Sequence, residues 1–401
     1  MLTFKYTAID PKTNKQIKSH VEADSEKSAA SVISEQGLMP IDIELATSGG
    51  GLFKGRVPAK DKVIFYRQLS TLVSAGLPIT QSLRTVTEQV DNKNLVSALT
   101  KIGGQVEGGM SLAEAMEQHP DIFDKVVTSL IASGETSGTL DETLQRIAMQ
   151  TEKNAEMASK IRGAMVYPAI VLVVIVLVVV FMLTTVLPQI EVLYDDLGQE
   201  LPFVTVVLLA ISSFISSYWW AAIIALAGVG YGIKKYTETE KGRRQMDVLK
   251  MSVPLFGKMF KKLYMARFSR TGSTLLQSGV QMLEMMRITS DAVGNVLIKE
   301  DILKASRRVQ GGKALSESLE ESLYFLPLVP QMINIGEKSG SIDGMMSKAA
   351  DYYEKELDDE IKTISTTIEP VLMVVLALVA GTMVGAILIP VYDLVGENIA
   401  I

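Results

Sequence analysis

Residues able to do chemistry are few in this chain, and their spacing does not suit it. The 401 residues include no cysteine and two histidines, His20 and His119. Disulfides, thiol nucleophiles and cysteine-based metal sites are thereby excluded, and histidine-based zinc or triad chemistry nearly so. Structural places for both imidazoles are expected. Gly134-Glu135-Thr136-Ser137-Gly138 and Gly336-Glu337-Lys338-Ser339-Gly340 have the glycine content of a phosphate loop. Neither keeps the spacing of glycine, four residues, then Gly-Lys-Ser/Thr, and neither follows an apolar strand. Nucleotide hydrolysis by this chain is not expected. The acidic run Glu354, Glu356, Asp358, Asp359 and Glu360 reads as a solvated face, with a surface divalent-cation site as the lesser alternative. No catalytic residue, cofactor or resident metal is expected.

What these motifs share is a register. Phe65-Tyr66-Arg67-Gln68-Leu69 with Ser74-Ala75-Gly76 returns as Phe268-Ser269-Arg270-Thr271-Gly272 with Gln277-Ser278-Gly279, an offset of 203 residues. Gly108-Gly109 and Gly311-Gly312 keep that offset. After a one-residue slip, the two Gly-Glu motifs follow, and then Pro168 and Pro370, which open apolar runs that end at Pro188 and Pro390. An internal duplication of this length fixes the architecture before any local reading does.

Hydrophobic residues make up 48% of the chain and charged residues 21%, with a mean hydropathy of +0.26. That mixture fits a membrane protein with large aqueous parts. A net charge of −6 argues against nucleic acid as a partner. The first ten residues alternate in polarity and carry no long apolar core, so no secretory signal is expected there and the N-terminus is expected in the cytoplasm.

Residues 168–188, 218–236 and 370–390 are expected to cross the bilayer as helices of about 20 residues. Apart from Lys234 and Lys235 at the last turn of the second, these segments carry no Asp, Glu, Lys, Arg or His, which speaks against proton relays or intramembrane proteolysis. Gly381 and Gly385 form a small-xxx-small face suited to helix contact. Phe203–Ile233 is too long for one untilted span and has Trp219-Trp220 at its centre. The reading is therefore an external loop over 189–217 containing an interfacial helix, followed by the second span. Thr205, Ser212 and Ser216 would mark the polar face of that interfacial helix. The stretch between the first two runs is acidic, whereas Lys234, Lys235, Lys241, Arg243, Arg244 and Lys250 follow the second. The positive-inside rule puts this basic connector, residues 237–261, in the cytoplasm and the tail, 391–401, outside.

The expected fold class is mainly α: a polytopic membrane protein with two homologous cytoplasmic helical bundles, three transmembrane helices and a small N-terminal α+β unit. The α+β unit spans 1–46, with a strand from Leu2, a helix capped near Asp24-Ser25-Glu26 and a last strand from Pro40. A flexible glycine-rich linker covers 47–58. The bundles cover 59–167 and 262–369. In the first, helices start at Pro58 and Pro78, Gly103-Gly104 and Gly108-Gly109 interrupt the chain, Ser111-Leu112-Ala113-Glu114 is a capping box, and Asp121 caps a helix reaching Gly134. A last helix may run unbroken from Gly138 towards Pro168. Gly76, Gly134, Gly138, Gly279, Gly336 and Gly340 are read as turns that need positive φ.

On Phe65–Pro78, the two Gly-Glu motifs and the terminal Ile389-Pro390-Val391-Tyr392-Asp393, the chain resembles the type II secretion system protein F family, which includes the platform proteins of type IV pilus assembly. The resemblance runs the length of the chain. It implies a non-enzymatic, multi-pass platform of the bacterial inner membrane that forms homo-oligomers. It also implies partners: a cytoplasmic hexameric ATPase, pilin or pseudopilin subunits that the platform helps insert into a fibre, and other inner-membrane assembly proteins. Candidate contact residues are Arg67, Gln68, Glu135 and Glu337, against the plainer reading that both carboxylates cap or pair within their own bundles. The rival function is a subunit of a membrane transporter or channel.

Overall fold

The computed structural model describes residues 2–9, 16–23, 25–35, 37–45, 57–197, 203–254 and 256–399. The expected turn at 10–14 and nearly all of the glycine-rich linker lie outside them. Strands β1 (Leu2–Ile9), β2 (Gln16–Ala23) and β3 (Met39–Leu45) form an antiparallel sheet in the order β2-β1-β3. Strand β2 was not anticipated. Its alternation is blurred because Ser19 falls on the same face as the buried Val21 and Ala23. Helix α1 (Glu26–Glu35) starts where Ser25 Oγ accepts from Ser28 N, 3.2 Å. It lays Ala29 and Ile33 on Tyr6, Ala8, Val21 and Ala23.

Chain contacts divide the protein into two units, Met1–Glu152 and Lys153–Ile401. The first contains α2 (Ala59–Ser74), α3 (Ile79–Gln89), α4 (Lys93–Glu107), α5 (Leu112–Glu117), α6 (Lys125–Ser137) and the start of α7 (Leu140–Phe181). The Gly76 stop has φ +85°, and Gly76 N and Leu77 N donate back to Val73 O and Leu72 O at 2.9 and 3.1 Å. This closes the orphan carbonyls of α2. Asn92 caps α4 by accepting from Asn94 N and Leu95 N. Asp124 caps α6, not Asp121. Gly103-Gly104 do not break the chain: they lie inside α4, whose Leu95, Ala98, Leu99 and Ile102 supply enough buried apolar surface to carry two poor helix formers.

In the second unit, α7 passes through Pro168 without ending. A five-residue π-helical turn, Met182–Val186, joins it to α8 (Leu187–Leu197), so Pro188 sits in a first turn, where its missing N–H costs little. Next come α9 (Phe203–Glu238), broken at Tyr218 (φ −120°, ψ 18°), and α10 (Glu240–Ser252). Thr205 and Ser212 are not a water-facing stripe. Both are buried, and Ser212 Oγ donates to Leu183 O in the π turn at 2.5 Å. A hydroxyl among apolar side chains must find such an acceptor. Leu183, Leu187 and Ala386 pack there with Leu208, Leu209 and Met383, while Gly381 faces open space.

The second bundle repeats the first, element for element: α11 (Phe256–Gln277), α12 (Met282–Ala292), α13 (Val296–Gln310), α14 (Leu315–Glu320), α15 (Leu328–Ser339) and α16 (Ile342–Ile399). Asn295 caps α13 as Asn92 caps α4. Pro390 does not end α16, which continues to Ile399. Three helices, Leu140–Asp196 through the π turn, Thr205–Glu238 and Ile342–Leu388, are long and apolar enough to cross a membrane. Ile170, Leu177, Phe181, Leu226, Val374 and Leu378 lie exposed on them. A surface this apolar over helices of this length suits the hydrocarbon of a bilayer.

Candidate interaction site

The Gly-Glu motifs are built units with three functions. Gly134 and Gly336 are not turns: both are helical, inside α6 and α15. They are glycines because the next helix starts against them. A Cβ at 134 would stand 2.6 Å from Thr143 Oγ1, and one at 336 would stand 2.6 Å from Ile342 Cα. The closing glycines do turn the chain: Gly138 and Gly340 both have φ +73°, and Thr139 N and Ser341 N donate back to Gly134 O and Gly336 O at 2.9 Å. Gly279, at φ +82°, turns the chain likewise, as Gly76 does in the first bundle.

Between those glycines, Glu135 and Glu337 point inward to the neighbouring short helix. Glu135 accepts from Leu112 N (2.6 Å) and Ala113 N (3.1 Å) at the start of α5. Glu337 accepts from Leu315 N (2.7 Å) and Ser316 N (3.3 Å) at the start of α14, and from Ser316 Oγ. Both thus satisfy first-turn N–H groups with a full negative charge where the helix end is positive. Helix α5 has a second cap, Ser111 Oγ accepting from Glu114 N at 3.1 Å. The matching residue before α14 is Ala314, with no side-chain cap, so Glu337 bears more of that duty.

Arg67 reaches Glu152 Oε1 at 2.9 Å, with 69% of the arginine side chain and 48% of the glutamate exposed. Its repeat counterpart, Arg270, holds Glu354 at 2.8 Å, with 18% and 11% exposed, and also binds Asp351. Burial alone would lower the Arg270 pKa, but its bonds to Glu354 and Asp351 outweigh that and raise it. Lys153 adds a second cation to Glu354 at 3.5 Å. Gln68 is half-buried, and among the described residues its Oε1 is buried without a hydrogen-bond partner. The partners of Arg67 and Arg270 lie more than 80 residues away and were not foreseen. The repeat register held the signal, because both arginine and glutamate recur.

Around each arginine the core is built differently. Phe65 with Phe123 (6.0 Å between ring centroids) matches Phe268 with Phe325 (4.9 Å). One turn further along α2 and α11, the set Leu69, Ser82 and Leu144 becomes Gly272, Met285 and Met346. A Cβ on Gly272 would lie 2.3 Å from Met346 Cε and 3.2 Å from Met285 Sδ. Volume lost at Gly272 is returned by Met285, where the first bundle has a serine, while Met346, close to leucine in volume but longer, reaches the glycine with its Cε, as close packing demands.

The sequence matches the family described as type II secretion system (T2SS), protein F, over residues 65–188 and again over 268–390. The two matched segments are the two structural repeats with the first and third apolar helices. The chain belongs to the type II secretion system protein F family. That family's N-terminal domain matches residues 1–44, the segment of the small sheet. Among curated relatives, the chain is 36% identical to the type IV pilus assembly protein PilC of Thermus thermophilus, over 99% of both chains. It is 33% identical to PilC of Pseudomonas aeruginosa, over 90% of this chain and 96% of the relative. The type II secretion system protein F of Vibrio cholerae is 31% identical over 98% of both. Family membership and the three apolar helices make this an inner-membrane protein of pilus or secretion machinery.

Proposed function

We propose that this protein F family member is the platform on which a cytoplasmic hexameric ATPase acts, passing its motion to pilin or pseudopilin subunits that enter a fibre. The observation that carries this reading is the pairing of two homologous bundles with two helices that run on into the membrane. Helix α16 leads from the Gly340 turn through Pro370 to Ile399 without interruption, and α7 leads from the Gly138 turn through Pro168 to Phe181. Such helices join an aqueous bundle to an apolar span with no loop between them. The N-terminus and both bundles are cytoplasmic and the tail external, a topology supported by the basic residues that follow the second span. The platform is non-enzymatic and acts as a homo-oligomer beside other inner-membrane assembly proteins.

Arg67 and Gln68 form the contact surface in this reading, since Arg67 stands largely in solvent. Glu135 and Glu337 contribute by holding α5 and α14 in place, each within its own bundle. The test is mild crosslinking in native membranes, purification of the tagged chain and mass spectrometry of its companions. Recovery of a hexameric secretion-type ATPase with prepilin-like proteins is expected, and Arg67→Glu should reduce the ATPase yield while leaving membrane insertion intact. A catch lacking the ATPase in cells that contain it would sink the proposal.

A further inference from the structure

Two neighbouring cavities in the second unit share one lysine. The first is an apolar groove of about 290 Å³ between the stems of α7 and α16, α10 and the start of α11, walled by Ile161, Met165, Leu249, Phe256, Phe260 and Ile364. Among the described residues, Lys250 carries the only polar side chain lining it. The second is a polar pocket of about 470 Å³ that Lys250 also lines, together with Arg243, Lys299, Asp247 and Asp291. Its carboxylates are already engaged. Asp247 is buried and accepts from Lys250 Nζ (3.0 Å) and Val296 N (2.9 Å), and Asp291 accepts from Lys299 Nζ at 2.5 Å. Each ammonium retains further N–H donors, and among the described residues no side-chain partner holds the Arg243 guanidinium.

The height of the groove matches a headgroup layer. Arg162 is the last charged residue before the span, so the uncharged run starts at Gly163; Ile161 lies two residues before that point and Met165 two residues after it, each about 3 Å away along a helix. The headgroup region is itself roughly 5–7 Å deep on each side of the hydrocarbon. Val248 and Leu249 of α10 are exposed beside Arg244 and Lys250, an arrangement of apolar and basic side chains suited to a membrane surface.

We propose that this composite cavity binds one anionic phospholipid, with an acyl chain in the groove and the phosphate between Lys250 and Arg243. An alkyl chain needs no hydrogen bonds from those carbon walls, whereas a peptide segment inserted there would leave its amides unsatisfied. Charge selects the headgroup: three cations, Arg243, Lys250 and Lys299, line the polar pocket against two carboxylates, Asp247 and Asp291, that each already accept from a lysine. The inference rests on the apolar helices crossing a bilayer and on no assignment of sides or partners.

The experiment is native mass spectrometry of the delipidated full-length protein, re-supplied with phosphatidylglycerol or phosphatidylcholine of identical chains. The unaltered protein should retain one phosphatidylglycerol per chain, preferred by about tenfold or more. The double variant Arg243→Ala/Lys250→Gln, whose glutamine amide can still donate to the buried Asp247, should lose that preference while still taking either lipid weakly. Ala164→Phe, which fills the groove, should lose both lipids with its headgroup cations intact. Equal retention of the two lipids by the unaltered protein would overturn the proposal. So would binding unaffected by either set of variants, or a Met165→Cys variant that crosslinks efficiently to a second copy through the groove.

Discussion

Arg67 and Arg270 occupy the same place in the two bundles, yet one side chain is 69% exposed and the other 18%. Their glutamates, Glu152 and Glu354, differ in the same sense. An exposed pair gains little, because water competes for both charges. A covered pair is costly to break, because its survivor is left charged and poorly solvated. One sequence pattern therefore yields a movable surface contact in the first bundle and a fixed strut in the second. Duplication supplied the residues, and the surroundings decided what each copy is for. Lys153 and Asp351, which crowd the second pair, are the agents of that difference.

The comparison can be broken most directly at the strut. Glu354→Ala should cost about 3 kcal/mol or more, read as a lowered melting temperature of the detergent-solubilised protein and faster amide exchange in α11. If the loss is no larger than for Glu152→Ala, the two settings are not different in kind. Next come the helix-contact glycines. Gly336→Ala forces a Cβ onto the backbone of Ile342 and should cost about 2–3 kcal/mol, while Gly134→Ala meets the Thr143 side chain, which can yield in part, and should cost about 1–2 kcal/mol. Reversal of that order in thermal unfolding would mean that α7 and α16 approach their bundles differently from the structure described above.

Gly272→Leu should cost about 1–3 kcal/mol by overpacking, and adding Met285→Ser with Met346→Leu, which recreates the first bundle's set, should recover most of it. Failure of the rescue would show that the two cores are not interchangeable solutions. Asn92→Ala and Asn295→Ala should each lose about 1 kcal/mol through the same lost cap, and unequal losses would expose a context the caps do not share. The smallest effect on stability belongs to Glu152→Ala, under about 1 kcal/mol; hydrogen exchange over α2 and α7 should scarcely change.

Much of this architecture is legible in the sequence, because glycines and prolines punctuate it with an almost constant offset. Gly76, Gly138, Gly279 and Gly340 were identifiable as left-handed stops since little else is tolerated there. Gly134 and Gly336 were misread for the same reason: a glycine that turns the chain and one that admits a neighbouring helix look alike in sequence. Pro168 and Pro370 mark where the apolar runs open, and the helices that reach them continue through; α16 also passes Pro390, where the apolar run closes, because long apolar helices absorb one missing hydrogen bond. Strand β2 escaped notice because Ser19 interrupts its apolar alternation. The Arg–Glu pairs have no local signature at all and could be found only by aligning the two copies. Both carboxylates at the Gly-Glu motifs, weighed as contacts or caps, are seen to cap.

Helix α16 has one more consequence. Its 58 residues form a rod of about 87 Å, and the Arg270–Glu354 strut grips it near one end. A rod held there is a lever. About 68 Å of it extends beyond Glu354, so a swing of about 5° would carry the far end roughly 6 Å, slightly more than the 5.4 Å pitch of a helical turn. Small rearrangements within the second bundle would therefore reach the opposite membrane face enlarged to the scale on which one helix steps past another.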